Sequence, residues 1–208
     1  MRLVFDLFPC QTISRFRGIG RFTRSTIDAM ARLRGHHEMY AVANGHYPES
    51  ADAMRQELSQ LLPQGHFSCF THTPLSGFRF DSESDTFVAT TLIHHAYQAL
   101  APDVVLYPGP FEDEPIVALP QGALPSALRV AVLHDFIPWV FRSQYLNDPT
   151  IRKWYRQRLD ALRQFDLLLA VSEATRQDAI RVLNFPAERI VNIAGATSGL
   201  FRPLPAGE

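Results

Sequence analysis

The sequence predicts a doubly wound α/β domain, built on a mostly parallel sheet with helices on both faces. Three observations predict it. Short apolar runs recur along the whole chain, at residues 3–8, 39–43, 66–70, 104–107, 129–133, 167–171 and 190–193, and their Val, Ile, Leu and Phe content suits strands buried on both faces. Segments with apolar residues at helical spacing separate most of these runs, and strands alternating with helices imply βαβ units with parallel strands. Three short segments, Arg17-Gly18-Ile19-Gly20-Arg21, His134-Asp135-Phe136-Ile137-Pro138 and Ser172-Glu173-Ala174-Thr175-Arg176, each come where such a run stops. Loops at the carboxyl ends of strands in an open parallel sheet converge on one edge, where these sheets bind ligands. The three segments are therefore expected to face one cleft.

The elements follow in order. The chain enters its first strand directly, without a charged leader or a small-residue cleavage site. Residues 9–20 then form a loop that opens a helix. Phe22, Thr26, Ala29, Met30 and Leu33 mark that helix's apolar stripe, with Arg21, Arg24, Asp28 and Arg32 on the opposite face. Further helices are predicted over residues 51–62, 86–100 and 151–165. The stretch 151–163 is basic and aromatic, as in a membrane-surface helix. The preferred reading is an ordinary core stripe of Ile151, Trp154, Tyr155, Leu159 and Leu162, with Arg152, Lys153, Arg156 and Arg163 outside. A fifth helix covers residues 173–183, with the Ser172 hydroxyl as its N-cap. Residues 71–85 are polar and turn-rich, and residues 107–125 carry five of the 15 prolines, so both read as loops. Residues 1–200 form one domain on this reading, and residues 201–208 run into a proline-punctuated linker.

Composition bounds the function. At 208 residues and 46% hydrophobic, the chain can bury one substantial core. Lys+Arg of 20 against Asp+Glu of 21 removes the electrostatic case for a nucleic-acid partner. Cys10 and Cys69 lie far apart without CxxC spacing, which supports neither a disulfide framework nor a zinc knuckle and suits a reducing cytoplasm. No apolar stretch approaches the ~20 residues needed to span a bilayer. A soluble protein is expected, attached to a membrane face at most peripherally.

Each segment at the strand ends has a chemical reading beside a plainer one. In the first loop, Gly18 and Gly20 let the backbone approach a ligand, the helix start offers N–H groups to an anion, and Arg15, Arg17 and Arg21 add positive charge. The dinucleotide fingerprint is incomplete, with Thr23 in place of its third glycine, and no Lys-Ser/Thr pair completes a P-loop. A glycine-assisted turn with solvated arginines accounts for it equally. His134 at a strand end can hydrogen-bond a sugar hydroxyl or assist a leaving group, with Asp135 orienting it; a structural histidine satisfied by backbone is the alternative. A metal phosphohydrolase would need further ligands, and His36-His37, His66, His72 and His94-His95 fall in no ligand spacing, so no metal is expected. Ser172 and Glu173 are explained by a cap and an acidic first turn, while Arg176 is not; Gly-x-Ser-x-Gly is absent, which argues against a nucleophilic serine. Glu112-Asp113-Glu114 reads as a solvated acidic turn in preference to a carboxylate site.

The chain resembles the N-terminal domain of the group 1 (family four) retaining glycosyltransferases of the GT-B fold. The resemblance is carried by the 17–24 opening, by Leu133-His134-Asp135-Phe136-Ile137-Pro138, by Ala170-Val171-Ser172-Glu173-Ala174-Thr175-Arg176, and by the exit Gly195…Phe201-Arg202-Pro203. It implies one Rossmann-like half of an active site, on the acceptor side. Gly18, Gly20 and Arg17 would approach donor diphosphate and acceptor, His134 would contact the donor sugar at the reacting centre, and Asp135, Ser172, Glu173 and Arg176 would line the cleft. The substrates implied are a nucleotide diphosphate sugar and a glycan or lipid-linked acceptor, with no metal or other cofactor. The His-Asp-x-Ile-Pro variant is similar to bacterial polysaccharide and O-antigen enzymes, many of them mannosyltransferases. The exit departs from the family, with Ala194-Gly195-Ala196-Thr197 in place of an Asn-Gly-Val-Asp type of turn. The family's second domain, with its Glu-x7-Glu donor-binding element, has no counterpart in these residues, so the isolated chain is expected to be inactive. A stand-alone α/β binding module that keeps the scaffold without catalysis is the rival reading.

Overall fold

A computed structural model describes residues 1–71, 83–112 and 127–196, with residues 83–87 described by their backbone only. Seven strands, β1 (Arg2–Asp6), β2 (Glu38–Asn44), β3 (Phe67–Phe70), β4 (Val104–Tyr107), β5 (Leu128–Leu133), β6 (Leu167–Ala170) and β7 (Ile190–Asn192), form one sheet in the order β3-β2-β1-β4-β5-β6-β7. Every neighbouring pair is parallel. All seven predicted strands are present within a residue or two of their expected ends. The strand order reverses between β1 and β4, which places a crevice at their carboxyl ends.

The helices are α1 (Gly18–Leu33), α2 (Pro48–Leu58), α3 (Glu83–Gln98), α4 (Ile137–Val140), α5 (Arg142–Tyr145), α6 (Pro149–Leu162) and α7 (Glu173–Leu183). Alternate strand residues feed two cores, as a sheet covered on both faces requires. Leu3, Phe5, Met39, Ala41 and Val132 pack with Ile27 and Ala31 of α1 and Ala51, Met54 and Leu58 of α2. Val4, Val42, Val105, Leu133 and Leu168 pack with Ile93 of α3, Leu159 of α6 and Leu183 of α7 on the other side. Val4 and Phe5 are fully buried, and each such side chain contributes about 1.5–3 kcal/mol. The core stripe expected on α6 is present, and it carries one charged residue not expected there, the buried Arg158.

Two expectations are corrected. The buried face of α1 is Gly20, Thr23, Ile27 and Ala31, whereas Ala29 is exposed and Leu33 is 84% exposed. Small residues let α1 lie close on the sheet, while Phe22 and Met30 pack at its flanks. The apolar segment after His134 is no loop but the two short helices α4 and α5. Residues 113–126, with Asp113 and Glu114, and the exit from residue 197 onward lie outside the described residues.

Candidate active site

The first segment is built from hydroxyls and one carboxylate. After β1 the chain makes two 3-10 turns, Phe8–Cys10 and Ile13–Phe16, before α1 begins. The Thr12 hydroxyl caps the second by accepting from the Ser14 N–H at 3.2 Å. Glu112, from the loop after β4, then spans the crevice. One of its oxygens accepts from Ser14 Oγ at 2.7 Å and the other from Thr12 Oγ1 at 2.9 Å. Glu112 is thus buried and paired, which corrects its reading as part of a solvated acidic turn.

The two glycines differ in kind. A Cβ on Gly18 would meet nothing within 4 Å, so its face is open to a ligand. A Cβ on Gly20 would lie 2.3 Å from the Ser14 carbonyl oxygen and 2.5 Å from the Arg15 Cα, both backbone. Gly20 therefore lets α1 pack on the turn before it, and its smallness serves that contact in place of the ligand approach the sequence suggested. Arg15, Arg17 and Arg21 are exposed, and none has an acidic partner among the described residues; the Arg15 guanidinium lies over the Phe16 ring. The first N–H groups of α1 likewise lack acceptors among the described residues, as first-turn groups do unless capped. The result is a positive turn at the crevice with open donors.

His134 leaves the carboxyl end of β5 and turns toward that crevice. Its Nε2 donates to the Pro108 carbonyl at 3.0 Å, so the neutral ring keeps its proton there and leaves Nδ1 as an acceptor. Phe22 of α1 meets the ring edge-on, 5.2 Å between centroids. Burial holds the imidazole below its ordinary value, against smaller opposing effects of Pro108 and Asp135. Asp135 does not orient the ring. Its exposed carboxylate accepts from the Ile137 N–H at 2.9 Å and caps α4.

The third segment is tied down. Ser172 Oγ accepts from the Thr175 N–H at 3.1 Å, the predicted cap, and Thr175 Oγ1 donates to the His134 carbonyl at 2.9 Å. These bonds join α7 to the histidine's backbone. Arg176, by contrast, gives Nε to the Ile190 carbonyl, Nη2 to the Ala187 carbonyl and Nη1 to Glu173. Glu173 also accepts from Gln177 and Asn192, and these bonds, Gln177's first, hold its carboxylate below the usual range. The pair staples α7 to β7, with Arg176 engaged by backbone carbonyls and Glu173.

Sequence reasoning thus missed Glu112, Pro108 and Phe22 as supports of the site. Two grooves lie elsewhere, one of about 350 Å³ between Trp139, Val140, Arg142, Arg181 and Val182, the other of about 420 Å³ along Arg152, Lys153 and Arg156. Neither touches His134. Among the described residues no three His, Cys, Asp or Glu side chains gather as metal ligands.

Comparison with known proteins gives the family and the fold. Two proteins named serotype-specific mannosyltransferase WbdA from Escherichia coli are 27% identical over 206 residues and 28% identical over 173 residues. The alignments cover 97% and 81% of this chain but 24% and 21% of those proteins, so the chain spans about a quarter of their length. A crystal structure of Arabidopsis thaliana UGT89C1 complexed with quercetin is similar in fold, with a TM-score of 0.51 at 12% identity over 100% of this chain and 52% of that one. The family model Glycosyltransferase Family 4 matches residues 16–195, and the chain belongs to that family.

Proposed function

We propose that this chain is the acceptor-side half of a retaining glycosyltransferase that moves a sugar, mannose in particular, from a nucleotide diphosphate sugar to a bacterial polysaccharide or lipid-linked glycan. The observation that carries the reading is the placement of His134. Its ring is fixed by Pro108 and Phe22, its backbone by Thr175, and Phe22 belongs to the same helix whose arginine-bearing start is left open. With Nε2 engaged, Nδ1 accepts from a hydroxyl of the transferring sugar. The start of α1 faces the diphosphate or the acceptor, where open N–H groups and Arg17 stabilise negative charge without a metal. The rest of the donor site belongs to a C-terminal domain in cis, so this chain alone folds without transferring sugar.

The mannosyl assignment rests on the relatives' names. The enzyme works in the cytoplasm at a membrane face, and no described helix is long and apolar enough to cross one. A peripheral contact is supported by exposed Ile137, Val140, Phe141 and Tyr145 beside Arg142, Arg152, Lys153 and Arg156. The experiment is His134→Ala in the full-length protein, with transfer followed from UDP- and GDP-linked hexoses. The expected outcome is a tenfold drop in kcat/KM for each ~1.4 kcal/mol of lost transition-state stabilisation. An early-melting variant whose activity tracks its folded fraction would make His134 structural, and wild-type protein without transfer would leave a binding module.

A further inference from the structure

We propose that Glu112 is a positioning residue for this site: reaching across the crevice from the loop after β4, it presets the turn that carries Arg15, Arg17 and the start of α1. The proposal rests on the reading of that turn as ligand-facing given under the proposed function. Glu112 is only 8% exposed, and a buried carboxylate is costly unless its lone pairs are used. Here each oxygen takes a hydroxyl, Ser14 Oγ at 2.7 Å and Thr12 Oγ1 at 2.9 Å. Those hydroxyls sit two residues apart on one 3-10 turn, so a single rigid group fixes both position and tilt of the turn. Charge-assisted bonds to ionised acceptors are about twice as strong as neutral ones.

The constraint then passes along the backbone. The Ser14 carbonyl and the Arg15 Cα are the atoms against which Gly20 is packed, and the Arg17 N–H bonds the Ser14 carbonyl at 2.8 Å. Moving Ser14 thus moves Arg15, Arg17 and the first N–H groups of α1 together. On its own side Glu112 is equally fixed. Its N–H bonds the Gly109 carbonyl at 3.1 Å, and a Cβ on Gly109 would come within 2.6 Å of Pro9 and 3.0 Å of the Glu112 side chain. The carboxylate touches neither donor nor acceptor in this reading; it acts through the turn. A shift of about 1 Å in a positioning group can cost ~100-fold in rate, which is why such a remote clamp matters.

The test compares Glu112→Ala, Glu112→Gln and Leu58→Ala in the full-length protein, the last a buried α2 residue outside the site that serves as a stability control. Two readouts are taken at equal folded fraction: hydrogen exchange of the peptide spanning residues 12–21, and kcat/KM for sugar transfer. Glu112→Ala is expected to speed exchange there and lower kcat/KM at least tenfold. Glu112→Gln, which keeps one carbonyl acceptor and can donate to the second hydroxyl, is expected to restore most of both. Leu58→Ala should change neither. Unchanged exchange in Glu112→Ala overturns the clamp, and faster exchange with unaltered kcat/KM overturns its role in positioning. If wild-type protein transfers no sugar, the proposed function falls while the exchange comparison still decides the clamp.

Discussion

The starts of α1 and α7 both follow parallel strands at the carboxyl edge of the sheet, and both carry an arginine within their first turn. At α1 Arg15, Arg17 and Arg21 have no acid or carbonyl partner among the described residues, and the Glu112 carboxylate is occupied by hydroxyls. At α7 the arginine meets two backbone carbonyls and a glutamate and is fully engaged. The difference lies in what surrounds each turn: the short strand β7 and the 3-10 turn before it bring the Ile190 and Ala187 carbonyls within reach of Arg176, whereas among the described residues none bonds the Arg17 side chain. A basic helix start is thus a ligand site only where the fold withholds acceptors from it.

The largest expected effect separates the two glycines of α1. Gly20→Ala should destabilise the protein by about 3 kcal/mol or more in chemical denaturation, because its Cβ meets backbone that cannot move aside. Gly18→Ala, into open space, should change stability by less than ~1 kcal/mol. Equal effects would mean that the turn is not packed as described. Next comes a pair of arginines. Arg176→Ala should cost about 1 kcal/mol while leaving transfer per folded molecule unchanged, since it removes the half-buried bond to the Ile190 carbonyl and two exposed ones. Arg17→Ala should leave the melting temperature in place and weaken substrate binding. A reversal of that pattern would put the cleft at α7.

Between the two regions, the buried histidines give a pH signature. Burial, with Arg129 adding to it, holds His94 down to about 4, and burial lowers His134 as well. Folded protein therefore binds fewer protons than unfolded below pH 6.5, the ordinary histidine value. Their contribution to stability is complete above that pH and is lost as pH falls through the folded values, for His94 through about 4. Thermal melts from pH 7 to pH 4 should show this decline, and His94→Leu should flatten most of it. The smallest effect lies just after β7, where Ala194 holds a φ of +51°. Ala194→Asn should raise stability by up to about 1 kcal/mol, because asparagine tolerates that left-handed conformation better.

The interior strands were legible because buried parallel strands need apolar runs, as β1, β4 and β5 show, while the edge strands β3 and β7 keep polar or exposed residues. The face of α1 was not, because a hydropathy pattern favours large side chains. The residues that approach a sheet most closely are small, here Gly20, Thr23 and Ala31. Ser172 was legible as a cap since capping is local. Arg176 and Glu112 were not, since the carbonyls that bind Arg176 lie 11 and 14 residues away and the hydroxyls that bind Glu112 lie 98 and 100 residues away in the chain, distances at which charge alone says nothing about who is near.

The strand order also governs how the chain is made. β1 is an interior strand of the sheet and the first of the seven in chain order, yet one of its two partners, β4, pairs Leu3 with Val104. At ribosomal rates of ~5–20 residues per second, that partner arrives roughly 5–20 s after β1 has emerged. During this interval the backbone edge of β1 that β4 will pair remains open on the nascent chain. The reversal between β1 and β4 that creates the crevice therefore also makes β1 the strand of the seven that waits longest for its second partner.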